Sequence, residues 1–151
     1  MTFPGESFDA VFYSLSFHHL PIESQYDAIL EAKRVLRHNG KLLIYEPIAN
    51  GQVQSLFLIF EKELDQLMEV SRTVNKAETE GIFQTIKIKN FSITWKFEES
   101  YELLDFFKKE YGDNMVNEKK HEVFELLKGQ ISSKPIILED KLKLMELDVR
   151  E

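Results

Sequence analysis

The sequence predicts an α/β fold, an open and mainly parallel sheet flanked by helices, and three observations carry that expectation. Two apolar runs that do not alternate, Ala10 to Leu15 and Leu42 to Tyr45, read as parallel strands covered on both faces. Between them Ile22, Tyr26, Ile29, Leu30 and Leu36 recur at helical spacing. Further on, period-two patterns return at Ile86 to Phe97 and at about Leu142 to Val149. The stretch from Phe3 to Pro47 is thus one βαβ unit. Open α/β sheets bind ligands at the carboxyl ends of their strands, so the loop from Leu15 to Ile22, with His18 and His19, is the first candidate for function.

Each element has its own signals. Ser24 and Asp27 are spaced like a capping box at the start of the first helix. Lys33, Arg34, Arg37 and His38 complement the helix dipole at its end, and Asn39 with Gly40 supplies a left-handed stop. Glu46-Pro47 closes the second strand. Asn50-Gly51 then turns the chain into one long helix with Val53, Leu56, Phe57, Phe60, Leu64, Leu67 and Met68 on a shared face. Lys76 to Thr85 is polar and reads as a mobile loop. In the next strand Ile86 and Ile88 share one phase, while Phe91, Ile93, Trp95 and Phe97 share the other. The slip at Lys89 and Asn90 fits one bent strand or two short ones. A helix from Ser100 carries Leu103, Leu104, Phe107 and Tyr111 and stops at Gly112, and another from about Asn117 carries Phe124 and Leu127 and stops near Gly129. Pro135 precedes the last strand, whose alternation suggests an antiparallel neighbour.

Composition narrows the function classes. With 151 residues, 43% of them hydrophobic, the chain can bury a core as a single domain over residues 1–151. A net charge of −7 argues against a nucleic-acid partner, since phosphate backbones call for clustered Lys and Arg. No apolar run approaches the length of a membrane helix and no signal-peptide layout opens the chain, so neither membrane nor export is expected and the cytoplasm is the default. Without cysteine there is no thiolate catalysis and no Cys-based zinc site. None of the six glycines forms a Gly-x-Gly turn.

The residues from Phe3 to Pro47 resemble the class I S-adenosylmethionine-dependent methyltransferases, in their small-molecule, type 11-like branch. In that family a Phe-Pro and then Ser-Phe-Asp lead into the fourth strand, matched by Phe3-Pro4 and Ser7-Phe8-Asp9. A His-His-Leu loop follows, then a helix ending Arg-Val-Leu-Arg, a Gly turn and a strand closing on Glu-Pro. These are His18-His19-Leu20, Arg34-Val35-Leu36-Arg37, Asn39-Gly40 and Glu46-Pro47. The pieces are weak singly and specific in this order, over about a third of the chain. The resemblance implies a Rossmann-like sheet of which this chain supplies strands four to seven, the last inserted antiparallel between the fifth and sixth. It also implies the cofactor S-adenosylmethionine, whose glycine-rich turn and ribose-binding acid are missing. The chain then corresponds to the C-terminal half of a methyltransferase acting on a small-molecule acceptor, with an N-terminal half or self-association completing the unfinished edge at strand four.

By the same resemblance, Ser14, Leu15 and Ser16 lie beside the donor's methionine portion, with His18 and His19 at the edge of the methyl-transfer space. His18 is a cofactor contact or a general base, because imidazole titrates near neutral pH, or else packs under the helix. His19 contacts the cofactor or packs, as Leu20 beside it suggests. Glu46, at the end of the next strand, orients an acceptor or caps a turn. Asp9 reads as structural and Tyr13 and Tyr45 as core; Trp95, Phe91 and Phe97 line the acceptor pocket or, as is commoner for an aromatic face on an alternating strand, belong to the core; and His121 reads as part of a solvated helix face. No metal site is expected, since adjacent histidines rarely reach one ion and no third ligand is spaced to help. The rival to a catalytic half is a noncatalytic interaction module derived from one. A nicotinamide-dependent dehydrogenase would need the Gly-x-Gly turn.

Overall fold

The computed structural model describes residues 3–150, which form two compact units. The first holds the residues through Ala49, Glu63–Phe91 and those from Leu142 on; the second holds Asn50–Lys62 and Ser92–Lys141. In chain order the elements are β1 (Phe8–Ser14), α1 (Ile22–Val35), β2 (Leu36–Pro47), α2 (Gln52–Phe60), α3 (Leu64–Thr79), β3 (Phe83–Phe97), α4 (Ser100–Tyr111), α5 (Asp113–Leu126) and β4 (Ile136–Val149). The sheet has four strands in the order β1-β2-β4-β3. β1 runs parallel to β2, with Ala10 opposite Lys41 and Ser14 opposite Tyr45. β4 runs antiparallel to β2, with Lys41 opposite Asp148 and Pro47 opposite Leu142. The last strand is therefore inserted between β2 and β3, as expected.

The first unit packs α1 and α3 on the sheet. Phe17, Ile29, Leu42, Ile44, Phe83 and Leu147 lie at its centre, all fully buried. Along β2 the buried residues alternate, Leu42, Ile44 and Glu46 sharing the covered face. The second unit is built around Leu103, Phe107, Val123, Ile136 and Leu138. There Phe57 meets Trp95, Phe106, Phe107 and Tyr111 edge-on, and Phe60 stacks on Phe107 and Tyr111; the half-buried Trp95 and Phe97 pack against this core, whereas Phe91, on the edge strand β3, is exposed rather than core.

Several local expectations are corrected. β1 is not covered on both faces: Phe12 is 57% exposed, because β1 is an edge strand with β2 on one side and no described strand on the other. No capping box forms at Ser24 and Asp27. α1 begins earlier, after Pro21, with the Ser24 N–H donating to the Pro21 carbonyl and no side-chain cap. The helix ends at Val35, before the Asn39-Gly40 pair, and Leu36 is already extended. Asn39 alone takes the left-handed conformation, at φ 63°, inside a bulge where β1 advances from Phe8 to Ala10 while β2 advances from Leu36 to Lys41.

The long helix is two. Its stripe serves both cores, Val53 and Leu56 in the second unit and Val70 and Val74 in the first, and the chain turns extended at Glu61 to separate them. The presumed loop from Lys76 is the last turn of α3, held by the fully buried Ala77, followed by a tight turn at Gly81 into β3. β3 is one continuous strand at the other sheet edge, and this is why its Ile86 and Ile88 stay half exposed. α5 begins at Asp113, directly after Gly112 at φ 85°, rather than at Asn117. β4 begins at Ile136, well ahead of Leu142.

Candidate functional site

The candidate site is built where β1 and β2 end side by side. The Leu15 N–H donates to the Tyr45 carbonyl at 2.8 Å, continuing the parallel ladder one residue past β1. Leu15 itself has φ 50°, a left-handed conformation that costs a residue with a Cβ about 1–3 kcal/mol. The chain then closes a 3-10 turn, Phe17–His19, anchored by the fully buried Phe17 ring edge-on to Tyr13. Strain of this kind persists only where the surroundings impose it, and Glu46 is what imposes it.

Glu46 is 1% exposed and reaches across from the end of β2. Its Oε1 accepts the Ser16 N–H at 3.1 Å and the Phe17 N–H at 2.7 Å, and its Oε2 bonds the Nδ1 of His18. Glu46 thus caps the loop before it rather than the turn after it, and the same carboxylate also fixes the imidazole. Because a carboxylate accepts on both oxygens, the hydrogen of that last bond sits on Nδ1 and leaves a lone pair on Nε2. His18 is 5% exposed, so its ring is held by packing as well as by the bond.

The Nε2 side of His18 faces Glu63, whose Oε2 is 3.9 Å away. Glu63 stands at the start of α3 but makes no side-chain cap there; its Oε1 instead accepts from the Nδ1 of His19 at 3.0 Å. The His18 and His19 rings lie 4.1 Å apart, centroid to centroid. Ser14, Leu15 and Ser16 form an exposed ledge at the end of β1. The structure thus brings His18, His19 and Glu46 together beside that ledge, and adds Glu63. Reading one unbroken helix through residues 61–63 hid it. No sequence signal marked a helix start there, since that position favours Ser, Thr, Asp or Asn and Glu63 is none of these. The expectation that no third ligand stands near the two histidines is corrected by the same residue. Asp9 pairs with Arg37 at 2.7 Å on the surface, away from the two histidines' contacts with Glu46 and Glu63.

Residues 1–44 match the family model described as methyltransferase domain. The four-stranded order with its antiparallel inserted strand agrees with that match. That match covers under a third of the chain, and over it the chain resembles the family. Solved structures extend the likeness of fold over the full length of the chain. A candidate methyltransferase of Bacillus halodurans C-125 superposes with a TM-score of 0.62 at 20% identity, covering 100% of this chain and 68% of that one. The YcgJ protein of Bacillus subtilis gives 0.59 at 20% identity with the same coverage. The [4+2]-cyclase SpnF gives 0.50 at 13% identity, covering 99% of this chain and 52% of that one. At such identities the likeness is one of fold. No curated protein matches the sequence. Among the described residues, no helix is long and apolar enough to cross a membrane.

Proposed function

We propose that this chain is part of a methyltransferase and carries the acceptor side of a methyl-transfer site for a small organic molecule, with His18 as the general base. The observation that supports this most is the buried Glu46–His18 pair, which leaves a lone pair at Nε2 on the side facing Glu63. A carboxylate behind an imidazole orients the ring, selects its tautomer and stabilises the cation formed when it takes a proton, the same division of labour as in hydrolase triads. His18 would take the proton of an acceptor hydroxyl or amine at Nε2 as the new bond forms. Glu46 acts through His18 and so positions rather than reacts.

The residues present fit one side of S-adenosylmethionine. Ser14, Leu15 and Ser16 offer an exposed ledge whose backbone is already strained into place, and His19 edges it. Bound there, the cofactor would supply a methyl group activated by the sulfonium charge. Its ribose and carboxylate find no matching cradle, as the sequence lacks a Gly-x-Gly turn. We assign those contacts to an N-terminal half that adds strands along the free edge of β1, and we place the protein in the cytoplasm. The unpaired edge also favours a second reading, a noncatalytic docking module that uses β1 to bind another protein.

Calorimetry with S-adenosylmethionine separates the two. Heat of binding that appears, or strengthens at least tenfold, when a methyltransferase N-terminal half is added supports the split enzyme. A stable complex between the halves that still binds no donor supports the docking module and overturns the enzymatic reading.

A further inference from the structure

We propose that His18 Nε2, His19 Nδ1 and Glu63 form a binding site for one divalent first-row transition ion of the zinc type, with Glu46 bracing His18 from behind. The inference goes beyond methyl transfer and does not depend on it. One ligand atom from each of the three side chains lies within 4.8 Å of the other two. A zinc-type ion sits about 2.0–2.2 Å from imidazole nitrogen and carboxylate oxygen, which spaces tetrahedral ligands about 3.4 Å apart. The observed separations bracket that value: Glu63 Oε2 is 2.9 Å from His19 Nδ1 and 3.9 Å from His18 Nε2.

Two further observations point to a cation. Glu63 Oε2 is buried yet accepts no hydrogen bond, although it lies close to His19 Nδ1. A buried carboxylate oxygen left this way is costly, and an ion between it and the two rings would satisfy it. In addition, the Glu46–His18 bond reproduces the outer contact found behind metal-ligating histidines, in which a carboxylate fixes the Nδ1 hydrogen and directs Nε2 to the ion. Two imidazoles and one carboxylate select zinc, cobalt or nickel over magnesium or calcium, which prefer all-oxygen shells. His19 is half exposed, so solvent or a ligand can take a remaining position. With an ion in place Nε2 no longer serves as a base; the ion would instead lower the pKa of a coordinated hydroxyl.

The test is calorimetric titration of the full, chelator-stripped and untagged chain with zinc chloride, without methyl donor. One ion per chain is expected, with magnesium showing none. His19→Gln and Glu63→Gln should each weaken zinc at least tenfold. Glu46→Gln should weaken it about 10–100-fold, because its amide would donate to Nδ1 and move the hydrogen to Nε2. His121→Gln, a change in the second unit, should leave zinc binding as it is. His19 is exposed, so its variant keeps the fold, as a melting curve would verify. No zinc binding, or His19→Gln binding as tightly as the unaltered chain, overturns the site. Either result leaves the donor-binding experiment unaffected, and failure there leaves this one standing.

Discussion

Two buried acids take opposite roles at the scale of single residues. Glu46 organises a loop: two backbone N–H groups and one imidazole converge on it, and the strained Leu15 conformation follows. Asp140, in the second unit, accepts the N–H of Gln54 at 3.4 Å in the first turn of α2, where Gly51 offers no side-chain cap. Burial pushes the Asp140 carboxyl above the usual carboxylate range, with its bonds from the Lys141 and Gln54 amides pulling the other way. A carboxyl raised in the folded state holds its proton more tightly there than in the unfolded chain. Its contribution to stability is therefore full in acid, below the unfolded value near 3.9, and is lost as pH rises through the folded value. Asp140→Asn keeps an acceptor for both amides without that loss. It should melt at or above the unaltered chain at pH 7, with the gain shrinking towards about pH 4. A lower melting temperature at pH 7 would mean that the charge on α2 outweighs its burial.

Most elements were legible in the sequence, and the failures share a cause. β1, α1, β2 and α4 follow from apolar patterning, because each meets a single core, whereas β4 serves both cores and was legible only from about Leu142 on. The break between α2 and α3 was not legible, since their apolar stripe is continuous in sequence and only the existence of two cores divides it. The same oversight hid Glu63. His18, His19 and Glu46 were identifiable from their places at strand ends, whereas the contact of Glu46 with the preceding loop depends on register between strands. At the end of α1 the sequence pointed to a left-handed stop, but the physical demand on Gly40 is space. A Cβ there would lie 2.8 Å from the Arg37 carbonyl oxygen and 3.0 Å from a Leu36 methyl. Gly40→Ala must push the β2 bulge outward, so urea unfolding should show a loss of about 1–3 kcal/mol. A change under about 0.5 kcal/mol would mean that the bulge yields freely.

At the scale of the whole molecule, the sheet ends on β1 with its outer side unpaired among the described residues, and Phe12 beside it is more than half exposed. An edge of this kind recruits another strand. Size-exclusion chromatography over a range of concentrations should show self-association, and Phe12→Lys should shift the chain towards monomer. A stable monomer at all concentrations would argue that the edge is protected. With the adjoining ledge, that edge makes the end of β1 one wall of the proposed methyl-donor site. Amide NMR during titration with S-adenosylhomocysteine tests it most directly, since it detects even millimolar binding residue by residue. The account predicts that the signals of Leu15, Ser16 and Phe17 move first and together. Movement confined to the second unit, or none at saturating ligand with the N-terminal half present, would contradict it.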